Sequence, residues 1–304
     1  MKVKVGAIQI ECKKEKEDNL QRALALVEQA GRAGVRALTM PDYWYSGLPQ
    51  KGMSIWDIKA SATIFPGPIT NEFAALAKKY GMYLFPGTLL EKKGKKIYCS
   101  SPLIGPDGGI IGVVRKFHPE NAGAKAEIDS GVTPASGEYE VFKTPVGKLS
   151  AMLDVDGCAI EVPRILGLKG ADIIFWPVAW GDILQGAIFL YAQVAAVCSG
   201  CIVVLSNLAG PVGSCLGPIP CEGGSGVVAL NLHDFSSGRR FSVDYIVRAH
   251  NYQDDLVYAT VDLDWVKMRR QNISDTYPFW RRPETYAPLL DKKADRKRHH
   301  GKFV

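Results

Sequence analysis

Lys148-Leu149-Ser150-Ala151-Met152-Leu153-Asp154-Val155-Asp156-Gly157 is an apolar run that breaks into two aspartates and a glycine. Cys158-Ala159-Ile160-Glu161-Val162-Pro163-Arg164 then resumes it, with a proline where the first turn of a helix would lie. The pattern reads as a buried strand, a tight turn and a helix start. Such a turn presents a side chain at the end of a strand, and here that side chain is Asp154. A carboxylate buried there is strongly destabilising unless it is paired or performs chemistry, so Asp154 is the residue to account for.

Outward from this turn, helical and strand periodicities alternate. Residues 1–10 alternate as a strand. Residues 18–33 put Leu20, Ala23, Leu24, Val27 and Ala30 on one helical face, closed by Gly34. Residues 35–40 read as a strand running into Pro41-Asp42-Tyr43-Trp44-Tyr45-Ser46-Gly47, an aromatic loop with one acid at the strand's C-terminal end. A second helix is expected after Thr70 as N-cap, then strands over 82–90, 98–105 and 110–117 and an irregular polar segment over 118–140. Beyond Asp154, residues 171–176 are apolar enough for a strand covered on both faces. Residues 182–199 read as a helix apolar all round, buried between layers or subunits. Strands over 201–205, 226–230 and 257–261 precede a short helix over 264–270. The order predicts a mixed α/β sandwich with outer helices.

The 304 residues are 47% apolar and 22% charged, the composition of a globular chain, and we expect one domain over 1–290 followed by a basic tail over 291–304. No apolar run reaches the roughly 20 residues that span a bilayer and the N-terminus is no signal peptide, which excludes a membrane role and places the chain in the cytoplasm as an expectation. The cysteines, Cys12, Cys99, Cys158, Cys198, Cys201, Cys215 and Cys221, are odd in number and lie mostly in apolar runs, so they are expected reduced; the Cys198–Cys201 spacing lacks the second ligand pair a zinc site needs. Six Lys and Arg against two Asp in residues 291–304 carry four of the net six positive charges. The tail lacks interleaved aromatics, which disfavours a nucleic-acid partner and favours a solvated or subunit-wrapping segment.

Three islands, in order, resemble the nitrilase (carbon-nitrogen hydrolase) superfamily. The first is Gly6-Ala7-Ile8-Gln9, Asn19-Leu20 and Pro41 followed by an acid; the family's general base there is Glu, and here it is Asp42. The second is Arg115-Lys116-Phe117-His118, matching a motif whose Lys polarises the substrate carbonyl or nitrile. The third is the stretch from Gly147 to Asp156 with Glu161 and Arg164, in which the family's nucleophilic Cys is replaced by Asp154. The resemblance covers residues 3–290 and implies a four-layer α-β-β-α sandwich, with a homodimer or larger assembly paired through helices that follow the nucleophile turn. It also implies a second pocket Glu after the Lys, for which Glu127 is the candidate and Glu120 the next. Neither cofactor nor metal is implied; Asp42, Asp154 and Asp156 would offer oxygen ligands, but the ammonium of Lys116 already occupies a cation's place.

A carboxylate at 154 excludes thioester chemistry unless Cys158 is a displaced nucleophile, and aligning Cys158 with the family's Cys would shift every neighbouring match by four residues. Asp42 is one methylene shorter than Glu while Asp154 reaches one atom further than Cys, about 1.5 Å each way, so a small site between them can survive. Two readings stay open. In one, Asp42, Lys116, Asp154 and Glu127 act on a small amide- or nitrile-like compound by acid-base chemistry. In the other, the site binds a ligand or partner without turnover, or the charges are a buried salt-bridge cluster. Tyr43, Trp44, Trp176 and Trp180 are expected beside a small substrate with a flat or apolar part.

Overall fold

The N-terminal alternation becomes β1 (Lys2–Glu11), which buries Val3, Val5 and Ala7 on one face and Ile8 and Ile10 on the other. A strand covered on both faces is central, and β1 organises the molecule. In the computed structural model, which describes residues 1–47, 59–121, 126–181, 186–210, 220–232, 241–250, 252–272 and 281–291, β1 pairs parallel with β2 (Ala37–Thr39) and antiparallel with β14 (Asp255–Asp262). Its far end pairs parallel with β10 (Ile202–Gly210), Ile10 opposite Leu208.

The first sheet continues from β2 through β3 (Tyr83–Phe85) to β5 (Lys96–Ile104), which is flanked by β4 (Leu89–Lys93) and β6 (Ile110–Arg115). The second runs β7 (Phe142–Thr144), β8 (Gly147–Ala151), β9 (Ile173–Val178), β10, β12 (Gly226–Leu232) and β13 (Phe241–Arg248), with β11 (Cys221–Glu222) on the end of β10. The strands from β8 through β10 are parallel, as their continuous burial requires.

Three packed clusters define the layers. One joins the facing sides of both sheets through Val5, Phe85, Leu103, Leu149, Phe175 and Val204. A second packs the outer face of the first sheet under α1 (Lys16–Arg32) and α2 (Pro68–Tyr80). The third packs the outer face of the second sheet under α3 (Glu161–Leu168) and α4 (Ala187–Ser199). The order is therefore α-β-β-α, and α5 (Leu263–Asn272) follows β14. Among the described residues no helix is long and apolar enough to cross a membrane.

Several sequence expectations need correction. α1 starts at Lys16, two residues before residue 18. Thr70 is not the N-cap of α2: Gly67 is, Pro68 opens the helix, and the Thr70 hydroxyl turns back to accept the Gly67 N–H at 2.8 Å. Residues 82–90 are not one strand, because Pro86-Gly87 breaks the run; Gly87 has φ +64° and a Cβ there would come within 2.0 Å of the Pro41 carbonyl oxygen. Only glycine permits that approach, and it delivers Thr88 to the loop that carries Asp42. Within one chain α4 is covered on its inner side only, with Leu190 62% exposed on its outer side. The expected start of that helix, residues 182–185, and the tail beyond Asp291 lie outside the described residues.

Candidate active site

Asp154 opens a 3₁₀ turn, Asp154–Gly157, beyond the end of β8. Its φ is +51°, and the other described non-glycine residue with positive φ is Tyr43, at +50°. Both flank the same cluster of charges. Left-handed backbone at a side chain costs roughly 1–3 kcal/mol and persists where the surroundings over-determine it. At 154 those surroundings are visible: the Trp176 indole N–H donates to the Asp154 carbonyl oxygen at 2.7 Å. The same ring lies where a Cβ on Gly157 would fall, 2.3 Å away.

Lys116, just past β6, extends between the sheets with its ammonium fully buried. It donates to Oδ2 of Asp154 at 2.7 Å and to both oxygens of Glu127 at 2.9 Å. Those bonds use all three ammonium hydrogens. Burial pushes the Lys116 ammonium down, but the carboxylates of Asp154, Glu127 and Asp42 outweigh it and hold Lys116 well above the usual lysine range. The second oxygen of Asp154, Oδ1, accepts the Trp180 indole N–H at 3.0 Å and faces the Ala179 N–H at 3.5 Å. Trp180 is itself clamped by Asn207, whose Oδ1 accepts the Trp180 main-chain N–H at 2.9 Å.

Glu127 comes from the irregular segment, and its carboxylate accepts four hydrogen bonds from three groups. Besides Lys116, the Tyr43 hydroxyl donates to Oε1 at 2.7 Å and the Glu120 main-chain N–H donates to Oε2 at 2.7 Å. Glu120 thus contributes its backbone, and Glu127 its carboxylate. Asp42, at the end of β2, is tied to the other sheet through its N–H to the Val178 carbonyl at 3.2 Å. Its Oδ1 accepts the Thr88 hydroxyl and the Cys99 thiol, the latter at 3.6 Å. Burial, reinforced by Asp42, pushes the Cys99 thiol far up; burial, reinforced by Cys99, Glu127 and Asp42, does the same to the Tyr43 phenol. These two groups stay protonated.

The structure therefore brings Lys116, Glu127 and Asp154 into direct contact, with Asp42 acting on Lys116 through its field. The aromatics expected to face a ligand are placed otherwise. Tyr43, Trp44 and Trp176 have no exposed surface. Tyr43 holds Glu127, Trp176 holds the Asp154 turn, and Trp44 donates to the Pro86 carbonyl at 2.6 Å while packing edge-on against Phe73 under the helices. Trp180, 8% exposed, is a hydrogen-bond donor to Asp154. Cys158 is half-buried against the α3-α4 side, and it is Asp154 that meets Lys116.

The Asp156 side chain serves a segment other than its own turn. Its carboxylate accepts the N–H groups of Phe117 and His118 at 3.2 and 2.9 Å and the His118 Nδ1 at 2.7 Å, bolting the Lys116 strand end to the Asp154 turn. The hydrogen bond from Asp156 raises the His118 pKa against partial burial. With Asp156 turned away and Asp154 on Lys116, the three aspartates do not present a common oxygen set to a cation. A cleft of about 800 Å³ lies beyond His118, lined by Phe117, His118, Tyr139, Glu161 and Leu289; Asp42, Lys116, Glu127 and Asp154 are not among its lining residues.

Two sheets with facing cores and helices on both outer faces form the α-β-β-α architecture of the nitrilase class of hydrolases. The carbon-nitrogen hydrolase family matches residues 4–271, and the chain belongs to it. It is 26% identical over 318 residues to a citrullinase of Francisella tularensis, covering 95% of this chain and 99% of that protein. It is 29% identical over 182 residues to the omega-amidase NIT2 of Danio rerio, covering 59% of this chain and 64% of that one. A crystal structure of a carbon-nitrogen hydrolase from Helicobacter pylori superposes with a TM-score of 0.80 at 25% identity over 96% of this chain and 99% of that chain.

Proposed function

We propose that this protein hydrolyses a small carbon-nitrogen compound by proton transfer through Asp154, Lys116 and Asp42, with no thioester intermediate. The relatives named a citrullinase and an omega-amidase support the bond class. The observation that carries the reading is the fully buried Glu127–Lys116–Asp154 chain of ionic hydrogen bonds. Apolar residues of similar volume could replace it without loss of stability, so its presence points to chemistry.

In the resting site Asp154 Oδ2 masks the third ammonium hydrogen of Lys116. A substrate carbonyl oxygen that takes this hydrogen frees Oδ2, which then accepts a proton from a water attacking the carbonyl carbon. The carbon-nitrogen bond breaks as the nitrogen leaves with a proton returned from the carboxyl pair of Asp154 and Asp42, giving an acid and ammonia or an amine. Asp154→Asn keeps the size and one accepting oxygen but removes the base and the second acceptor, so ammonia release from amides, nitriles and ureido compounds should fall by about 10² or more; Lys116→Met should do likewise. Undiminished turnover in Asp154→Asn would sink the mechanism. Loss of turnover with iodoacetamide and with Cys158→Ser would move the nucleophile to the thiol.

The second reading, ligand binding without turnover, is favoured by the saturation of Lys116. It predicts changed affinity in both variants and no ammonia from any form.

A further inference from the structure

The Asp154 carboxylate is held as a bound ligand would be. Lys116 meets one oxygen at 2.7 Å; the Trp180 indole N–H and the Ala179 N–H converge on the other at 3.0 and 3.5 Å. The donors come from two segments, the end of β6 and the two residues that follow β9, and Glu127 and Asn207 fix Lys116 and Trp180 from behind. We infer that Lys116 Nζ, Trp180 Nε1 and the Ala179 N–H form a receptor for a small carboxylate, which this chain fills with its own Asp154.

The assignment has a consequence for ligand class. An amide hydrolysed at this site leaves a carboxylate, and the tethered carboxylate of Asp154 already sits on the donors that such a product would use. The native protein should therefore refuse free carboxylates there and admit a neutral carbonyl-bearing ligand that competes for Lys116 alone. The inference rests on the cluster being the ligand site and does not require that it turn anything over.

The left-handed backbone at 154 makes the test clean. Asp154→Gly relieves the strained φ and leaves a space the size of acetate beside an ammonium that keeps Glu127 but has lost its second carboxylate. Thermal melting and calorimetric titration of the folded variant with sodium acetate, against sodium chloride at equal ionic strength and against acetamide, decide the matter. Acetate should bind saturably and raise the melting temperature, about tenfold or more tighter than acetamide, because a charge-assisted pair replaces a neutral hydrogen bond. The native chain should not respond, and Lys116→Met in the Asp154→Gly background should abolish the effect. No preference for acetate over chloride and acetamide, or equal acetate binding by the native chain, overturns the inference.

If Asp154→Gly folds only in acetate, that too supports the receptor. If it folds in neither, the native protein still reports through nitrogen-15 spectra: the Trp180 indole N–H should be protected from solvent exchange and should shift in Asp154→Asn, and rapid exchange there overturns the inference. Acetate binding without ammonia release from any substrate sinks the enzymatic reading alone; ammonia release without acetate binding sinks this one alone.

Discussion

An ammonium with no exposed surface stays charged only where negative charge outweighs the loss of water, and at Lys116 this takes two bonded carboxylates and a third nearby. The arrangement makes individual side chains expensive to remove. Tyr43→Phe deletes one charge-assisted bond to Glu127 and should destabilise the chain by about 1.5–3 kcal/mol in urea denaturation, with no change in Lys116 itself. Asp154→Cys restores the family's nucleophile but leaves Asp42 a methylene short. Amidase activity should appear only weakly in that variant, and more strongly with Asp42→Glu added, since base and nucleophile must come within hydrogen-bond reach. Lys116, Asp154 and Glu127 were legible because charged residues in motif positions stand out against apolar strands. Thr88 was not, since nothing in Pro86-Gly87-Thr88 announces that a broken strand will return a hydroxyl to Asp42. The burial of Tyr43, Trp44 and Trp176 was not legible, because an aromatic in a loop looks the same whether it faces a ligand or closes the core.

At the scale of elements, the site depends on two strand ends being held in register, and Asp156 is the bolt between them. Asp156→Ala removes two main-chain N–H partners and the His118 contact. It should cost about 3 kcal/mol, given that hydrogen bonds to charged groups contribute roughly 1.5–3 kcal/mol each and that water recovers part of the loss. His118 adds a pH dependence. Its folded pKa is raised above the ordinary 6.5, so its contribution is fully present below about that pH and is lost as pH rises through the folded value. The native-minus-His118→Asn difference in melting temperature should be largest in mild acid and vanish in alkali. Because His118 is half exposed, the effect should be small and should shrink with added salt. A difference that grows with pH would refute the assignment. The periodicities of β1, β8, β9 and α1 exposed these elements in the sequence because burial there follows the helix and strand repeats. The failures fell at ends, at Thr70 and at residues 82–90, where the close approach that Gly67 and Gly87 allow by lacking a Cβ, and not hydrophobicity, decided the boundary.

For the whole molecule, the outer face of α4 is the feature that remains to be covered. Leu190, Tyr191 and Val197 are exposed there, and α3 beside it adds Leu168. Exposed apolar side chains gathered on two neighbouring helices point to an interaction surface. We expect the chain to self-associate through it, so that sedimentation at micromolar concentration shows a mass above 33.2 kDa and Leu190→Glu returns the monomer. The sandwich itself was legible at this scale from the order of the elements, whereas the exposure of α4 was not, because an all-apolar helix is the same sequence whether its cover is another layer or another subunit.

The pairing of β1 with β14 runs from Lys2 opposite Asp262 to Gln9 opposite Asp255, so β1 finds one of its neighbours only far later in the chain. At about 5–20 residues per second, synthesis leaves this central strand half-paired for roughly ten seconds or more. Throughout that interval one edge of the future sandwich is open to strand addition from other nascent chains. Yield in cells should therefore respond to translation speed and to chaperones that shield strand edges, even where the purified protein is stable.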